Sequence, residues 1–112
     1  MTELLFKLFV AHAIADFALQ SEAMAKGKNR HRKPDYIPQG QKAIRCWPYW
    51  LTAHALINGG AVYFATGSVL IGLIELVLHW IIDFAKCENW TSPHDDQFFH
   101  ICFKMLYWIF LI

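Results

Sequence analysis

Apolar residues fall in four blocks along the chain, separated by two polar stretches and one short break. The first block, LLFKLFVAHAIADFALQ, contains no Gly or Pro and predicts a helix over about 4–20. A basic stretch with Gly27, Pro34, Pro38 and Gly40 follows and reads as a loop over 21–48, with room for a short surface helix. Trp47, Pro48, Tyr49 and Trp50 then resemble an interfacial aromatic belt that opens the next helix. From Leu51 to Phe84 the chain is almost continuously apolar, and Glu75 is its only charge before Asp83. That run exceeds the roughly 20 residues that cross a hydrocarbon core. A break at Thr66-Gly67-Ser68 resolves it into two antiparallel helices, about 50–66 and 68–84. A second polar loop from Lys86 to Asp96 contains Pro93, and the last block predicts a helix over 98–112. The expected fold is all-α: one domain, 1–112, forming an antiparallel up-down four-helix transmembrane bundle.

Composition strengthens the transmembrane expectation. Of 112 residues, 56% are hydrophobic and 16% aromatic, more than a domain this small readily buries in water. A soluble helical bundle is the alternative that a mean hydropathy of only +0.29 leaves open. The all-round apolar character of residues 51–84 argues for lipid instead. Net charge is +1, but seven of the ten Lys and Arg lie between Lys26 and Arg45. The positive-inside rule then makes the 21–48 loop cytoplasmic and puts both termini on the opposite side. The run Lys26–Lys33 is expected to meet anionic lipid head groups; as a nucleic-acid signal it is too unspecific to carry weight. Cys46, Cys87 and Cys102 lack paired spacing and predict no disulfide framework. No secretory leader is expected from the first block.

Ionisable residues recur at helical spacing within these apolar blocks. His12, Asp16 and Gln20 are successive steps of four, as are Glu75, His79 and Asp83. His54 and Asn58, and then Asp96, His100 and Lys104, repeat the spacing, with Gln97 beside Asp96. Residues at i and i+4 share a helix face, so each helix carries a polar stripe. Up-down topology brings His12, Asp16, His54, His79, Asp83, Asp96 and His100 to the same, cytoplasmic end. Buried charges in a bilayer face one another or a cavity, and imidazole with carboxylate suits Zn, Mn or Fe. The expected metal ligands are His12, Asp16, His79, Asp83 and His100, with His54 nearby and enough donors for one or two ions. Asp96 or Gln97 would position water, Lys86 and Gln20 would meet substrate, and Glu75 with Lys104 would form a buried ion pair. Taken singly, each His-x-x-x-Asp pair is more often a structural hydrogen bond, so a metal-free polar network is the competing expectation. His31 and His94 read as solvated loop residues, with His94 within reach of the cluster. Gly59, Gly60, Gly67 and Gly72 permit close helix packing within the chain or between copies, leaving a homo-oligomer or a membrane-protein partner open.

The series AHAIADFALQ, TAHAL, LHWIIDFAK and DDQFFH resembles a family of small bacterial and phage integral membrane proteins, domain of unknown function 3307. Its elements fall here on His12, Asp16, Phe17 and Gln20; on His54; on His79, Asp83 and Lys86; and on Asp96, Gln97 and His100. The resemblance implies a small bacterial or phage integral membrane protein and assigns no activity. With the orientation expected from charge, the chain would be multi-pass in the bacterial inner membrane with both termini periplasmic. The pattern is more distantly similar to inner-membrane proteins labelled as metal-dependent hydrolases. The leading expectation is a membrane-embedded metal-dependent hydrolase acting on a lipid or phosphoester at the cytoplasmic leaflet. A non-enzymatic membrane protein that binds a host membrane partner is the alternative. An ion or proton carrier would need polar steps beyond Glu75, and Ala61–Leu70 offers none.

Overall fold

The computed structural model describes residues 1–32, 39, 40, 42 and 46–112. Among these residues every regular element is helical. Helix α1 spans Thr2–Ala13 and runs directly into a π-helical turn, Ile14–Ala18. Helix α2 is Glu22–Gly27, α3 is Trp47–Thr66, α4 is Val69–Cys87 and α5 is Pro93–Leu111. Serines start three of them: Ser21, Ser68 and Ser92 each accept a hydrogen bond from a backbone N–H of the first turn. Ser92 and Asp95 complete a reciprocal capping box with Pro93 behind the cap, so α5 begins at Pro93 and not near Phe98. Asp96 and Gln97 are therefore helical residues of the first turn, not loop residues.

The first helix also differs from the continuous 4–20 helix expected. Leu19 donates its N–H to the Ile14 carbonyl at 2.8 Å, closing an i to i+5 ring. The extra residue leaves Ala15 and Asp16 buried together. Gln20 lies beyond the helix, and α2 occupies part of the expected loop.

Between α3 and α4 the chain reverses at Gly67, whose φ of 74° is the left-handed conformation that glycine adopts without a Cβ clash. Just above this turn the two helix backbones touch. A Cβ placed on Gly59 would stand 2.7 Å from the Gly72 carbonyl oxygen, and one on Gly72 would stand 2.9 Å from the Gly59 oxygen. Gly59→Ala must push the backbones apart and is expected to cost about 1–3 kcal/mol. Gly60→Ala meets nothing within 4 Å and should stabilise the helix by about 0.5–1 kcal/mol. Thermal unfolding of the two variants beside wild type checks the opposite signs.

The interior has two levels. Leu8, Val62, Ile71 and Tyr107 form an apolar cluster toward the α3–α4 turn. Toward the other end the buried side chains are polar: His12, Asp16, Lys28, His54, Asn58, Glu75, His79, Asp83, Asp96, His100 and Lys104. The exterior is the reverse. Phe6, Phe17, Leu56, Leu70, Val77 and Leu106 are exposed, Phe64 is 84% exposed and Phe110 88%.

The all-α expectation holds, but its transmembrane half does not follow from the helices alone. Among the described residues no helix is long and apolar enough to cross a membrane. The reason is the polar stripe itself: His54 and Asn58 interrupt α3, Glu75, His79, Asp83 and Lys86 interrupt α4, and Asp95, Asp96, His100 and Lys104 interrupt α5.

The basic run is not uniformly a solvated contact for lipid. Lys28 is only 3% exposed and points into the bundle. Arg30 and His31 bond Glu88 at the end of α4, with Arg30 Nη2 and His31 Nε2 each 2.9 Å from Oε2. His31 is thus tied to a partner. These hydrogen bonds hold the Glu88 carboxyl down to about 2. Lys33 and Arg45 lie outside the described residues.

Candidate metal centre

Four helical elements contribute to one buried cluster. The π turn presents Asp16, α3 presents His54, α4 presents His79 and Asp83, and α5 presents Asp96 and His100. Asp16, His79 and His100 offer ligand atoms that all lie within 4.8 Å of one another, and so do His54, His79 and Asp83. His79 belongs to both triads and is fully buried. Its ring stacks on that of His100, with centroids 4.2 Å apart, and lies edge-on to His54 at 4.9 Å.

Hydrogen bonds distinguish the two triads. Asp83 Oδ2 is 2.7 Å from Lys28 Nζ, and Asp83 Oδ1 is 3.1 Å from Lys86 Nζ. Lysine ammonium groups thus lie against both oxygens of Asp83, although Oδ1 makes no hydrogen bond. Asp16 takes its partners from neutral groups. His54 Nε2 donates to Oδ1 at 3.0 Å, and Gln97 Nε2 donates to Oδ2 at 2.8 Å. His79 Nε2 lies 3.4 Å from Asp16 Oδ1 but makes no hydrogen bond, and His100 Nε2 makes none either. Four buried imidazole nitrogens lack partners: His12 Nδ1, His54 Nδ1, His79 Nε2 and His100 Nε2. The last two, beside the Asp16 carboxylate, form a donor set of the kind zinc, manganese and iron take.

Charge points to the same triad. Four buried carboxylates, Asp16, Glu75, Asp83 and Asp96, share the interior with Lys28, Lys86 and Lys104. Lys28 and Lys86 meet Asp83, Lys86 also meets Asp96 at 3.3 Å, and Lys104 meets Glu75. Among the described residues no lysine bonds Asp16, whose polar neighbours are instead His54, His79 and Gln97.

Several expected roles change with this geometry. Gln97 is a clamp: its carbonyl accepts from His12 Nε2 at 2.9 Å, and its amide donates to Asp16 and, at 3.3 Å, to Asp96. His12 lies beside His100, ring centroids 5.7 Å apart, but stands in neither triad. Lys86 is committed to Asp83 and Asp96, so it is not a free phosphate hook. Gln20 accepts from Lys28 at the rim and does not reach the triads. Asn58 turns back to the His54 carbonyl at 3.0 Å. His94 is exposed on the first turn of α5. Asp96 keeps Oδ1 without a hydrogen bond, 3.3 Å from His100 Nε2.

Two contributors were missed. Lys28 is separated by 55 positions from Asp83 and was hidden among six other basic residues. Tyr107, whose hydroxyl donates to Glu75 Oε2 at 2.7 Å, sits three residues after Lys104. That i+3 position shares the Lys104 face and was the available signal.

Fold and centre together define a small all-helical bundle built around a buried His and Asp cluster. The chain belongs to the family described as "Protein of unknown function (DUF3307)", whose profile matches residues 4–112. Neither a curated protein nor a solved structure matches the chain.

Proposed function

We propose that the chain is a membrane-embedded metal-dependent hydrolase that cleaves a lipid-borne or soluble phosphoester at the head-group level of the bilayer. The observation that carries this reading is the pair His79 Nε2 and His100 Nε2, both without hydrogen bonds, beside Asp16, the one carboxylate of the cluster that no lysine bonds among the described residues. His79 spends its other nitrogen on Glu75, so one ion per chain is the expected content.

The bilayer reading rests on the inverted packing. The polar residues that lower each helix's mean hydropathy turn inward, and the outer face is rich in Phe, Leu, Ile and Val. At 19 to 20 residues, α3, α4 and α5 are each roughly 30 Å long at 1.5 Å per residue, about one hydrocarbon thickness. At the polar end Trp47, Trp80, Phe84 and Trp90 pack in sequence, with ring centroids 5.4 to 5.8 Å apart from Phe84. Such aromatics suit the interface. The basic segment beside them makes this end the cytoplasmic one of a bacterial inner membrane, with both termini periplasmic.

In this reading Asp16, His79 and His100 would hold the ion, which would supply Lewis acidity toward a phosphoryl oxygen and toward water. Gln97 and His54 fix the Asp16 carboxylate. Asp96 Oδ1, without a hydrogen bond beside His100, would be the base for water as it attacks phosphorus and the ester oxygen departs. A second reading, a non-enzymatic membrane protein with a metal-free network that binds a membrane partner, is favoured by one observation. Lys28, Lys86 and Lys104 already neutralise three of the four carboxylates.

Protein reconstituted in bicelles with anionic phospholipid separates the two. Phosphoester turnover that a chelator abolishes and added Zn or Mn restores is expected. Metal-free protein without turnover, under any divalent ion, would favour the second reading. Release of the protein from membranes by alkaline carbonate would overturn the bilayer assignment.

A further inference from the structure

Glu75 lies one turn from His79 on α4, and among the described residues its carboxylate has three polar neighbours. Lys104 Nζ donates to Oε1, and the Tyr107 hydroxyl donates to Oε2 at 2.7 Å. The third neighbour is His79 Nδ1, 3.3 Å from Oε1. Glu75, His79, Lys104 and Tyr107 are all buried. A carboxylate only accepts, so His79 can answer it only with a proton on Nδ1.

Neutral imidazole carries one N–H. With that proton on Nδ1, Nε2 presents a lone pair to the cluster. Nε2 is indeed without a hydrogen bond, 3.4 Å from an Asp16 oxygen that already accepts from His54. With Nδ1–H turned to Glu75, a cation held between Nε2 and the Asp16 oxygen would satisfy both atoms. An ion pair alone would require Lys104 and Glu75 only; the tyrosine and the histidine contacts hold the carboxylate in one orientation.

We propose that Glu75, locked by Lys104 and Tyr107, is a positioning residue that fixes His79 as its Nδ1–H tautomer and aims Nε2 at the metal. This rests on the metal-centre reading above. The arrangement is that of a carboxylate–histidine–metal relay, in which the outer carboxylate sets ligand orientation and basicity.

The test uses the full chain labelled with 15N-histidine and measures ring nitrogen shifts and Co(II) affinity. In wild type, His79 is expected to show a protonated Nδ1 and an unprotonated Nε2. A proton on Nε2, whether from the other tautomer or from imidazolium, would overturn the inference without any variant being made. In Glu75→Leu/Lys104→Met/Tyr107→Phe, which removes the carboxylate together with both groups that lock it, the proton is expected to move to Nε2 and bond Asp16. Co(II) affinity should fall about 10- to 100-fold. An unchanged tautomer in that variant would contradict the inference. A tautomer that shifts while neither protein binds cobalt would uphold the role of Glu75 and overturn the metal reading instead.

Discussion

His79→Ala is expected to reduce divalent-metal affinity by more than about 100-fold, beyond the 10- to 100-fold typical of losing an outer-shell partner. His79 is the residue common to both triads, so among the described residues no regrouping of the remaining donors restores three ligands within reach. His54 cannot take its place, because its Nε2 is already given to Asp16 at 3.0 Å. Asp83→Asn makes the contrast. That carboxylate is held by Lys28 and Lys86, so its amide should retain metal while losing stability. Isothermal titration with Zn on the two variants reads the difference. Equal losses would mean that Asp83, not Asp16, completes the centre.

Lys104→Met should destabilise the folded bundle by about 3–5 kcal/mol, the usual cost of leaving one partner of a buried ion pair uncompensated. Glu75 and Lys104 are each 1% exposed, so water cannot take over the lost contact. Adding Glu75→Leu to Lys104→Met should recover part of that loss, since it removes the uncompensated carboxylate but leaves the Tyr107 hydroxyl and His79 Nδ1 without their acceptor. Denaturant unfolding of the single and double variants measures the coupling. A single variant as stable as wild type would mean that Tyr107 and His79 alone satisfy the carboxylate.

The four helices were legible because their polar residues repeat every four positions inside apolar blocks. The reversal at Gly67 was legible because a left-handed turn favours glycine. The same spacing brought His79, Asp83 and Glu75 onto one face of α4, where the structure has them buried. Which nitrogen or oxygen of each group stays unbonded was not legible, since that depends on partners from other helices. Gln97 illustrates the point: its three bonds reach His12, Asp16 and Asp96, and only folding brings the first two near. The π turn at Ile14–Ala18 leaves no mark in composition. Lys28 carried the opposite signal, since a lysine in a basic run reads as solvated until a buried aspartate claims it. The early start of α5 was within reach, because Ser92-Pro93 with Asp95 is a helix-opening pattern.

The central claim is that Asp16, His79 and His100 hold one metal ion in the polar interior. Elemental analysis with X-ray absorption on wild-type protein purified in detergent tests it most directly. The account predicts one zinc, manganese or iron per chain, with two imidazoles in the first shell; for zinc, the Zn–N distances would be about 2.0–2.1 Å. Protein that carries no stoichiometric metal, and takes up none when zinc, manganese or iron is supplied, would contradict it.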